Sequence, residues 1–430
     1  MKNKKRRTNK KRRLKILPIV ILIVLLILIG FGIYKKIEYD KLQDKITKEN
    51  NLIENIKSHY NEYVITTKET SVYDEDNNVI GKINKDIELS LEEVEIDKDT
   101  KYFKLKDFES SYILYEDVKV IDKLTEISNR YQNYIPFNKN ITTKEKTIFY
   151  NENNEYVYEI NKSYEFKIII KDTDRYGVEF NNRLLYIKSD NVEKVYDNHN
   201  TDKSNVTGIP VFNYHAFYDE NNETERKECN TSICHSKKQF KTHLDYFKEN
   251  NILTIKMNEM EMYLDGKIQL PKSVLLTIDD GGRTTHAINM LTEYQMYATI
   301  FLVTSWFDAK TYPLTEYIEL HSHGHNLHNG GECPGGQGGA IKCLAKDKLL
   351  EDLATARSLL NNTTSFCYPF YEYNQYAINI LKEAGFTMAF VGEEGDMIAH
   401  IGVNKYRIPR FVIMTHTTMN DIKVLFNSVR

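Results

Sequence analysis

From Ile209 to the end of the chain, short apolar runs alternate with segments of helical periodicity. The apolar runs are typical of buried strands, and the segments between them space their apolar residues as amphipathic helices do. The runs are VFNYH, ILTI, SVLLTI, ATIFLV, IELHS, SFCYPF, TMAFVG and RIPRFVIM, and the helical segments cover 237–250, 257–265, 284–296, 346–360, 373–384 and 419–428. The alternation predicts an α/β domain in residues 209–430, a distorted (β/α) barrel or a related fold.

The first 34 residues have the composition of a membrane anchor. Residues 2–13 hold nine basic residues and no acidic residue, and residues 16–34 are almost entirely apolar. A helix formed by this apolar run can span a hydrocarbon core, and the basic block before it favours a cytoplasmic N-terminus. No small-residue cleavage site follows, so we expect an uncleaved anchor. The sequence predicts a cytoplasmic basic segment (1–15), a transmembrane helix (16–34) and an extracellular remainder, hence a single-pass protein of the cell membrane.

The part of the chain beyond Lys36 is acidic. All 61 acidic residues lie there, whereas twelve of the 58 basic residues do not, which leaves a net charge of −15. Proteins that bind nucleic acid carry an excess of basic residues, so we expect no nucleic-acid partner. The basic N-terminal block taken alone would also fit a nucleic-acid tail, but the apolar run behind it favours the membrane.

A helical segment and two copies of a β-rich repeat precede the α/β domain. Residues 37–60 are charged, with apolar residues at helical spacing, and predict a helical stalk, either a short coiled coil or a lone amphipathic helix. Residues 64–73 (VITTKETSVY) and 140–149 (NITTKEKTIF) open two similar stretches. These stretches predict two β-rich modules, 62–122 and 139–197, which resemble bacterial SH3-like modules in length and strand rhythm.

No binding motif stands out in either module. The modules would act as spacers that raise the C-terminal domain off the membrane, or they would bind cell-wall glycan or peptide, and the sequence leaves both roles open. A polar linker without an apolar face, residues 198–208, follows the second module.

Five cysteines lie beyond the apolar run, on the side of the membrane where disulfides persist. Cys229 and Cys234 form one close pair, Cys333 and Cys343 form another, and Cys367 lies in an apolar run. We therefore expect two local disulfides and a free, buried Cys367. A cysteine-based metal site is the alternative, although spacings of five and ten residues differ from those of zinc sites.

Two adjacent carboxylates follow one of the apolar runs. The run that begins at Val274 ends in Asp279, Asp280 and two glycines, which let the backbone turn sharply. Adjacent carboxylates repel, so we expect the fold to separate them or to give one a counter-charge. His323 and His328 follow about forty residues later. Two imidazoles and one carboxylate would make a zinc-like site with an open position.

These motifs resemble those of carbohydrate esterase family 4, the polysaccharide deacetylases with a NodB-type domain, and the resemblance covers Ile209 to about Phe426. The stretch 277–281 is similar to the family's first motif, which implies that Asp279 is the catalytic base and Asp280 a metal ligand. The stretch 322–328 is similar to the second motif, which supplies two histidine ligands.

The resemblance implies that those ligands are His323 and His328, whose separation is similar to that in the subgroup acting on poly-N-acetylglucosamine. The stretch also contains His321 and His325. Because side chains alternate along a strand, a His321/His323 or His323/His325 pair stays possible from spacing alone.

The stretch 366–371 is similar to the family's third motif. The motif implies that an aromatic-Pro-aromatic element, Tyr368, Pro369 and Phe370, walls the substrate groove. The glycine that usually follows is Tyr371 in this chain.

Two groups that the family's usual motifs supply must come from elsewhere in this chain. The arginine that many members carry before the third motif is absent, so we expect Arg410, or otherwise Arg407, to orient Asp279. The usual C-terminal catalytic histidine is also absent. In the poly-N-acetylglucosamine subgroup, the motif that carries this histidine is permuted to the front of the domain. The stretch 211–215 is similar to that permuted motif, which implies that His215 is the general acid.

The resemblance implies a hydrolase of non-peptide carbon–nitrogen bonds, a metal-dependent N-deacetylase, with zinc as the expected metal and an N-acetylglucosamine polymer as the partner. The membrane anchor and paired modules favour peptidoglycan or a related wall polysaccharide. The permuted histidine and the ligand spacing favour an exopolysaccharide, poly-N-acetylglucosamine. A non-catalytic cell-wall glycan-binding protein that retains the fold is the third interpretation, and the departures at Cys367 and Tyr371 favour it.

Overall fold

The computed structural model describes residues 3–57, 63–92, 102–106, 111–125, 129–198 and 205–429. Residues 58–60 of the predicted stalk, 93–101 and 107–110 of the first module, and 199–204 of the predicted linker lie outside these ranges. The chain divides into two compact units, Met1–Glu126 with Val157–Glu159, and Ile127–Tyr156 with Ile160–Arg430. The second unit therefore contains most of the second β-rich module together with the α/β domain.

The N-terminal helix α1 runs from Asn3 to Lys57 without interruption. Its part Pro18–Asn51 is long and apolar enough to cross a membrane, a property that a signal sequence near the N-terminus shares. The predicted basic segment, transmembrane helix and stalk are thus parts of one helix. A continuous helix suits a membrane span because all its backbone polar groups bond within the segment.

The first β-rich module is built from antiparallel strands. They are β1 (Tyr63–Thr66), β2 (Thr70–Tyr73), β3 (Val79–Ile83), β4 (Glu88–Ser90), β5 (Tyr102–Leu105), β6 (Ser111–Leu114) and β7 (Val118–Ile121), with a short 3-10 helix at Tyr115–Asp117. β1 pairs with β4 and β7, whereas β6 pairs with β2 and β5. Alternate residues of β1 and β2 are buried, so these strands contribute one face to a small core.

The second β-rich module repeats this order of elements after a 3-10 helix at Arg130–Asn133. Its strands are β8 (Lys139–Thr143), β9 (Thr147–Tyr150), β10 (Tyr156–Ile160), β11 (Glu165–Lys167), β12 (Ile170–Lys171), β13 (Arg175–Phe180), β14 (Arg183–Lys188) and β15 (Val192–Asp197), with a 3-10 helix at Ser189–Asn191. β8 pairs with β11 and β15 as β1 pairs with β4 and β7. The internal repeat in the sequence thus corresponds to a repeated arrangement of strands.

The α/β domain follows. Its strands are β16 (Ile209–Tyr214), β17 (Ala216–Tyr218), β18 (Cys234–Ser236), β19 (Leu253–Thr254), β20 (Ser273–Asp280), β21 (Ala298–Leu302), β22 (Ile318–Ser322), β23 (Ser365–Cys367), β24 (Met388–Phe390), β25 (Ile398–Ala399) and β26 (Phe411–Val412). Its helices are α2 (Glu223–Glu228), α3 (Lys237–Glu249), α4 (Met257–Leu264), α5 (Thr285–Tyr294), α6 (Lys346–Leu359), α7 (Gln375–Glu383) and α8 (Met419–Ser428), with 3-10 helices at Ala340–Lys342 and Pro369–Tyr371.

Seven of these strands form a half-barrel sheet in the order β24-β23-β22-β21-β20-β16-β25, whereas β17 and β18 pair in a separate sheet. Each pair of adjacent strands from β24 to β16 is parallel, and β25 is antiparallel to β16. Segment 405–412 links the two sides of the sheet, because Ala389 N donates to Lys405 O, Arg410 N donates to Gly392 O, and β26 pairs with β16. The expected distorted barrel is thus observed as a half-barrel sheet with one irregular linking segment.

The carboxyl ends of the parallel strands meet at one edge of the sheet, where α/β domains place their sites. Tyr214 ends β16, Asp280 ends β20, Ser322 ends β22 and Cys367 ends β23. β20 lies between neighbours on both sides and is buried along its length, apart from the partly exposed Asp280. The sheet therefore brings residues that are far apart in sequence to one edge.

Two disulfides constrain loops of this domain. Cys229 is bonded to Cys234 and Cys333 to Cys343, while Cys367 is free and buried, so the predicted pairing is confirmed. The first disulfide ends at Cys234, the first residue of β18, and β18 pairs with β17. The second closes the Gly-rich loop after β22.

Two core histidines give the domain a pH-dependent stability. Burial lowers the pKa of His235 and of His243 to about 4, from the ordinary value of about 6.5. The unfolded chain takes up these protons as the pH falls below 6.5, whereas the folded domain does not until about 4. Their contribution to stability is therefore complete above pH 6.5 and is lost as the pH falls toward 4, by about 3 kcal/mol for each histidine.

We expect His243→Gln, which retains a polar partner for Tyr214, to reduce the loss of unfolding free energy between pH 7.5 and 4.5 by about 2 kcal/mol. Urea unfolding followed by the fluorescence of the sole tryptophan, Trp306, measures this difference. His416→Gln, the same substitution at an exposed position, is the matched control. An unaltered pH dependence in His243→Gln would contradict the assignment.

Candidate active site

The two adjacent carboxylates point into different surroundings because side chains alternate along a strand and β20 ends at Asp280. Asp279 lies in the buried part of β20, whereas Asp280 has a left-handed φ of 73° and is partly exposed. Gly281 continues the turn with a φ of 91°, and a Cβ there would lie 2.4 Å from Leu302 Cδ1. Only glycine fits this position. The turn therefore separates the carboxylates, as their mutual repulsion requires.

Asp279 forms a two-point ion pair with Arg410. Oδ1 of Asp279 accepts a hydrogen bond from Nη1 at 2.7 Å, and Oδ2 accepts one from Nη2 at 2.8 Å. Nε of Arg410 donates to Val391 O at 2.8 Å, and Nη1 also donates to Thr277 Oγ1 at 3.2 Å. Arg410 is fully buried and Asp279 is 1% exposed. Bidentate geometry of this kind fixes the orientation of a carboxylate.

Arg410, rather than Arg407, is therefore the arginine that the structure places on Asp279. Arg407 is half-exposed and pairs with Glu394, with 2.9 Å between Nη2 and Oε2. Segment 405–412 carries both arginines. Backbone pairing of that segment directs Arg410 to the inside of the half-barrel.

The ion pair keeps Asp279 charged. Burial alone would raise the pKa of the Asp279 carboxyl, but the charge of Arg410 and its hydrogen bonds outweigh burial, and the pKa is lowered. The Cys367 thiol completes the cluster, since Sγ accepts from Arg410 Nη2 at 3.0 Å and donates to Asp279 Oδ2 at 3.4 Å. Burial raises the pKa of this thiol, so it remains protonated and can donate.

His323 and His328 face Asp280. Nε2 of His323 lies 3.3 Å from Asp280 Oδ1, and Nε2 of His328 lies 3.2 Å from the same oxygen. Nδ1 of His323 lies 2.9 Å from Cys367 O, and because a carbonyl only accepts, Nδ1 carries the hydrogen. Nε2 of neutral His323 then keeps its lone pair, which is the tautomer of a metal ligand oriented by a backbone carbonyl.

These three residues fit a divalent metal ion. Asp280 Oδ1 is buried and, in the described part of the chain, accepts no hydrogen bond. Ligand atoms about 2.0–2.1 Å from a tetrahedral ion lie about 3.3 Å from one another, which matches both measured distances. The donor set of two nitrogens and one oxygen suits zinc. Asp280, His323 and His328 would therefore hold the metal.

A second cluster of possible ligands, Asp279, His323 and Cys367, does not suit a cation. Both Asp279 oxygens and the Cys367 sulfur already face the guanidinium of Arg410, which would repel a metal ion.

The other two histidines of the stretch 321–328 have different partners. Nδ1 of His321 lies 2.6 Å from Thr363 Oγ1, and Nδ1 of His325 lies 3.0 Å from Thr304 Oγ1. Neither belongs to a group of possible metal ligands among the described residues. His323 and His328 face the same oxygen of Asp280 despite their five-residue spacing, because Gly324, with a φ of 85°, turns the chain after β22.

His215 lies beside the carboxylates. It directly follows Tyr214, the last residue of β16, which pairs with Ile278, and Ile278 directly precedes Asp279. Nε2 of His215 is 3.4 Å from Tyr371 Oη, whose hydrogen is donated to Asn213 Oδ1 at 2.8 Å. Burial lowers the pKa of His215, and the charges of Asp279 and Asp280 oppose that shift.

Of the three residues predicted to wall the groove, two are buried. Tyr368 is fully buried, and its hydroxyl donates to Tyr406 O at 3.2 Å, so Tyr368 is a core residue rather than a wall of the groove. Pro369 is buried as well. The chain turns only at Phe370, which has a left-handed φ of 57°, so the two residues before it continue the buried path of β23. Phe370 is partly exposed, and its ring centroid lies 4.4 Å from that of His328.

Four residues to which the sequence motifs assign no role also belong to the site. Thr277 contacts Arg410, Asn213 and Tyr371 contact each other beside His215, and Trp306 lies 5.0 Å from His328 between ring centroids. Thr277 could have been found because it shares a strand face with Asp279. Trp306 could have been found as the sole tryptophan, placed soon after an apolar run. The Asn213–Tyr371 contact has no signal in the sequence.

Removing one imidazole should release the metal. We expect His323→Ala to weaken zinc binding at least about 100-fold, because two ligands remain and Asp280 loses its neighbour. Metal content after dialysis, measured by mass spectrometry, checks this. His325→Ala alters the same loop outside the ligand cluster and should keep its metal. Equal metal content in both variants would contradict the assignment.

Residues 267–389 match the family model described as polysaccharide deacetylase, so this part of the chain is a polysaccharide deacetylase domain. The protein is therefore a hydrolase, and the deacetylases of this family depend on a metal. The match includes Asp279, Asp280, His323 and His328. His215 and Arg410 fall outside it, one before its start and one after its end.

No curated protein matches the chain at a significant level. Among solved structures, the chain is similar to a de-N-acetylase from Aggregatibacter actinomycetemcomitans, with 22% identity, a TM-score of 0.43, and coverage of 50% of this chain and 99% of that one. It is also similar to IcaB from Ammonifex degensii, with 20% identity, a TM-score of 0.42, and coverage of 52% and 98%. The Streptococcus pyogenes deacetylase PplD in complex with acetate has 18% identity, a TM-score of 0.42, and coverage of 51% and 98%.

Proposed function

We propose that this protein removes acetyl groups from N-acetylglucosamine residues of peptidoglycan or a related cell-wall polysaccharide. The observation that carries the proposal is the arrangement of Asp280 Oδ1 between two imidazole nitrogens, beside the Asp279–Arg410 pair. This arrangement offers metal ligands and a base at one edge of a sheet. Amide hydrolysis requires both.

The chain's own groups have distinct parts in this reaction. A divalent metal held by Asp280, His323 and His328, with zinc as the expected ion, would lower the pKa of water and polarise the acetamide carbonyl. Asp279, oriented by Arg410, would accept a proton from the water whose oxygen bonds to the carbonyl carbon.

His215 would act on the other side of the reaction. As the carbon–nitrogen bond breaks, His215 would donate a proton to the glucosamine nitrogen, so that acetate and a free amine leave. The position of His215, directly after the Tyr214–Ile278 pair that precedes Asp279, supports this assignment, and Tyr371 and Asn213 would orient the imidazole.

We further propose that helix α1 anchors the protein in the cell membrane with its N-terminus in the cytoplasm and its catalytic domain outside. The basic residues before the apolar part support this orientation. The two β-rich modules would be SH3-like units that act as spacers or bind wall polymer. A membrane-anchored enzyme with such modules acts on a polymer close to the membrane, which favours peptidoglycan.

Poly-N-acetylglucosamine is the second candidate substrate. The position of His215 at the front of the domain and the spacing of His323 and His328 favour it. A non-catalytic binding protein is disfavoured, because such a protein needs neither the buried Asp279–Arg410 pair nor the ligand cluster.

Acetate release distinguishes these candidates. The full chain, reconstituted with zinc, is incubated with purified peptidoglycan and, separately, with poly-N-acetylglucosamine. We expect more acetate from peptidoglycan than from poly-N-acetylglucosamine, and release at least about 100-fold slower from either polymer with Asp279→Asn. Greater release from poly-N-acetylglucosamine would select the second candidate, and no release from either polymer would refute the N-deacetylase.

A further inference from the structure

The sole tryptophan of the chain stands exposed beside a metal-ligand histidine. Trp306 is 50% exposed, and its ring centroid lies 5.0 Å from that of His328. Tryptophan contributes a large apolar area when it is buried, so leaving half of it in water forgoes stability. An exposed tryptophan next to a reactive centre is therefore a candidate for ligand contact.

The loop that carries Trp306 is firmly held although the indole is exposed. Thr304 N donates to Gly324 O at 3.2 Å, and Ser305 N donates to His325 O at 3.0 Å, which joins this loop to the ligand stretch. Trp306 N donates to Val303 O at 3.0 Å. The backbone of this loop is thus fixed relative to the ligand stretch before a ligand arrives, which lowers the entropic cost of binding.

A second aromatic side chain, on a different loop, also lies beside His328. Phe370 lies 4.4 Å from His328 between ring centroids and is partly exposed. Phe370 and Tyr371 both have a positive φ, of 57° and 60°, which is a strained conformation for bulky residues. His328 therefore has an aromatic residue from each of two loops, and the indole is the more exposed of the two.

We propose that Trp306 is a sugar-stacking residue that binds a pyranose ring of the polymer at, or next to, the residue whose acetamide reacts. The negative face of an indole attracts the positively polarised C–H groups on the face of a pyranose ring. The inference rests on the proposed function, since it assigns the polymer's sugar ring to a defined surface of that same site. It makes Trp306 a determinant of substrate binding rather than a catalytic residue.

Because Trp306 is the sole tryptophan, intrinsic tryptophan fluorescence reports on this position alone. The first measurement titrates the full-length Asp279→Asn variant, whose turnover is expected to be at least about 100-fold slower, with a β-1,4-linked N-acetylglucosamine pentamer. We expect a saturable shift of the emission to shorter wavelength as the sugar excludes water from the indole. A glucose pentamer without acetamide groups should give a weaker response.

The second measurement compares steady-state kinetics on the same acetylated pentamer. Trp306→Ala should raise KM about tenfold and change kcat by less than threefold, because ground-state and transition-state binding are lost together. Trp306→Phe, which keeps an aromatic face, should recover most of the lost affinity. Tyr376→Ala removes another exposed aromatic ring, on α7, and should match the wild-type protein.

The two measurements separate the inference from the proposed function. Acetate release with an unchanged KM in Trp306→Ala, or no fluorescence response to the pentamer, would overturn the stacking role. A saturable fluorescence response without acetate release from the wild-type protein would support the stacking role and overturn the N-deacetylase instead.

Discussion

Replacing Arg410 by methionine should lower the free energy of unfolding by about 3–5 kcal/mol, because it leaves the Asp279 carboxylate charged, buried and without its partner. The same change should reduce kcat at least about tenfold, since the base loses the two hydrogen bonds that orient it. Urea unfolding and steady-state acetate release measure the two effects separately.

Two further variants identify the cause of the instability. Arg410→Lys keeps the charge but cannot form two parallel hydrogen bonds, so it should lie between the wild type and Arg410→Met in stability. The double variant Asp279→Asn/Arg410→Met removes both charges and should be more stable than Arg410→Met. If the double variant is no more stable, then lost packing rather than the unpaired carboxylate explains the effect.

The Asp279→Asn variant should lower kcat about 10²–10⁴-fold while the protein keeps its metal. An amide is isosteric with the carboxylate but cannot accept a proton from water. The metal content should remain, because Asp280, His323 and His328 are unchanged. Acetate release and metal analysis on the same preparation check both statements.

An exposed carboxylate provides the matched control for this variant. Asp245 pairs with Lys241 on the surface of α3, and Asp245→Asn should leave kcat unchanged. Near-wild-type turnover by Asp279→Asn would show that another group takes the proton from water. Loss of metal from Asp279→Asn would instead place Asp279 among the ligands.

Hydrophobic patterning was sufficient to predict the α/β class. The apolar run that contains Ile278 is too short for an independent helix and is followed by two glycines, so it forms a strand. Patterning was not sufficient to predict the half-barrel, because closure depends on how segment 405–412 pairs with Ala389 and Gly392 across the sheet. Pairing between distant segments leaves no periodic signal in either one.

The predicted site residues differ in how far the sequence determined them. Asp280, His323 and His328 were predicted from the resemblance to the family's motifs, because spacing alone left other histidine pairs open, and the structure places the three side chains together. Tyr368 was predicted to wall the groove, but its side chain is buried. The sequence motif identifies the turn correctly but does not specify which residues precede it in the core.

By itself the sequence determined which atoms are available for chemistry: a carboxylate pair at the end of a strand, two imidazoles beyond a glycine, and a histidine at the front of the domain. Only the tertiary structure decided which arginine meets Asp279, that Cys367 joins this ion pair, and that Trp306 stands beside His328. The physical reason is that ligand chemistry belongs to individual side chains, whereas burial and orientation depend on contacts between segments far apart in the chain.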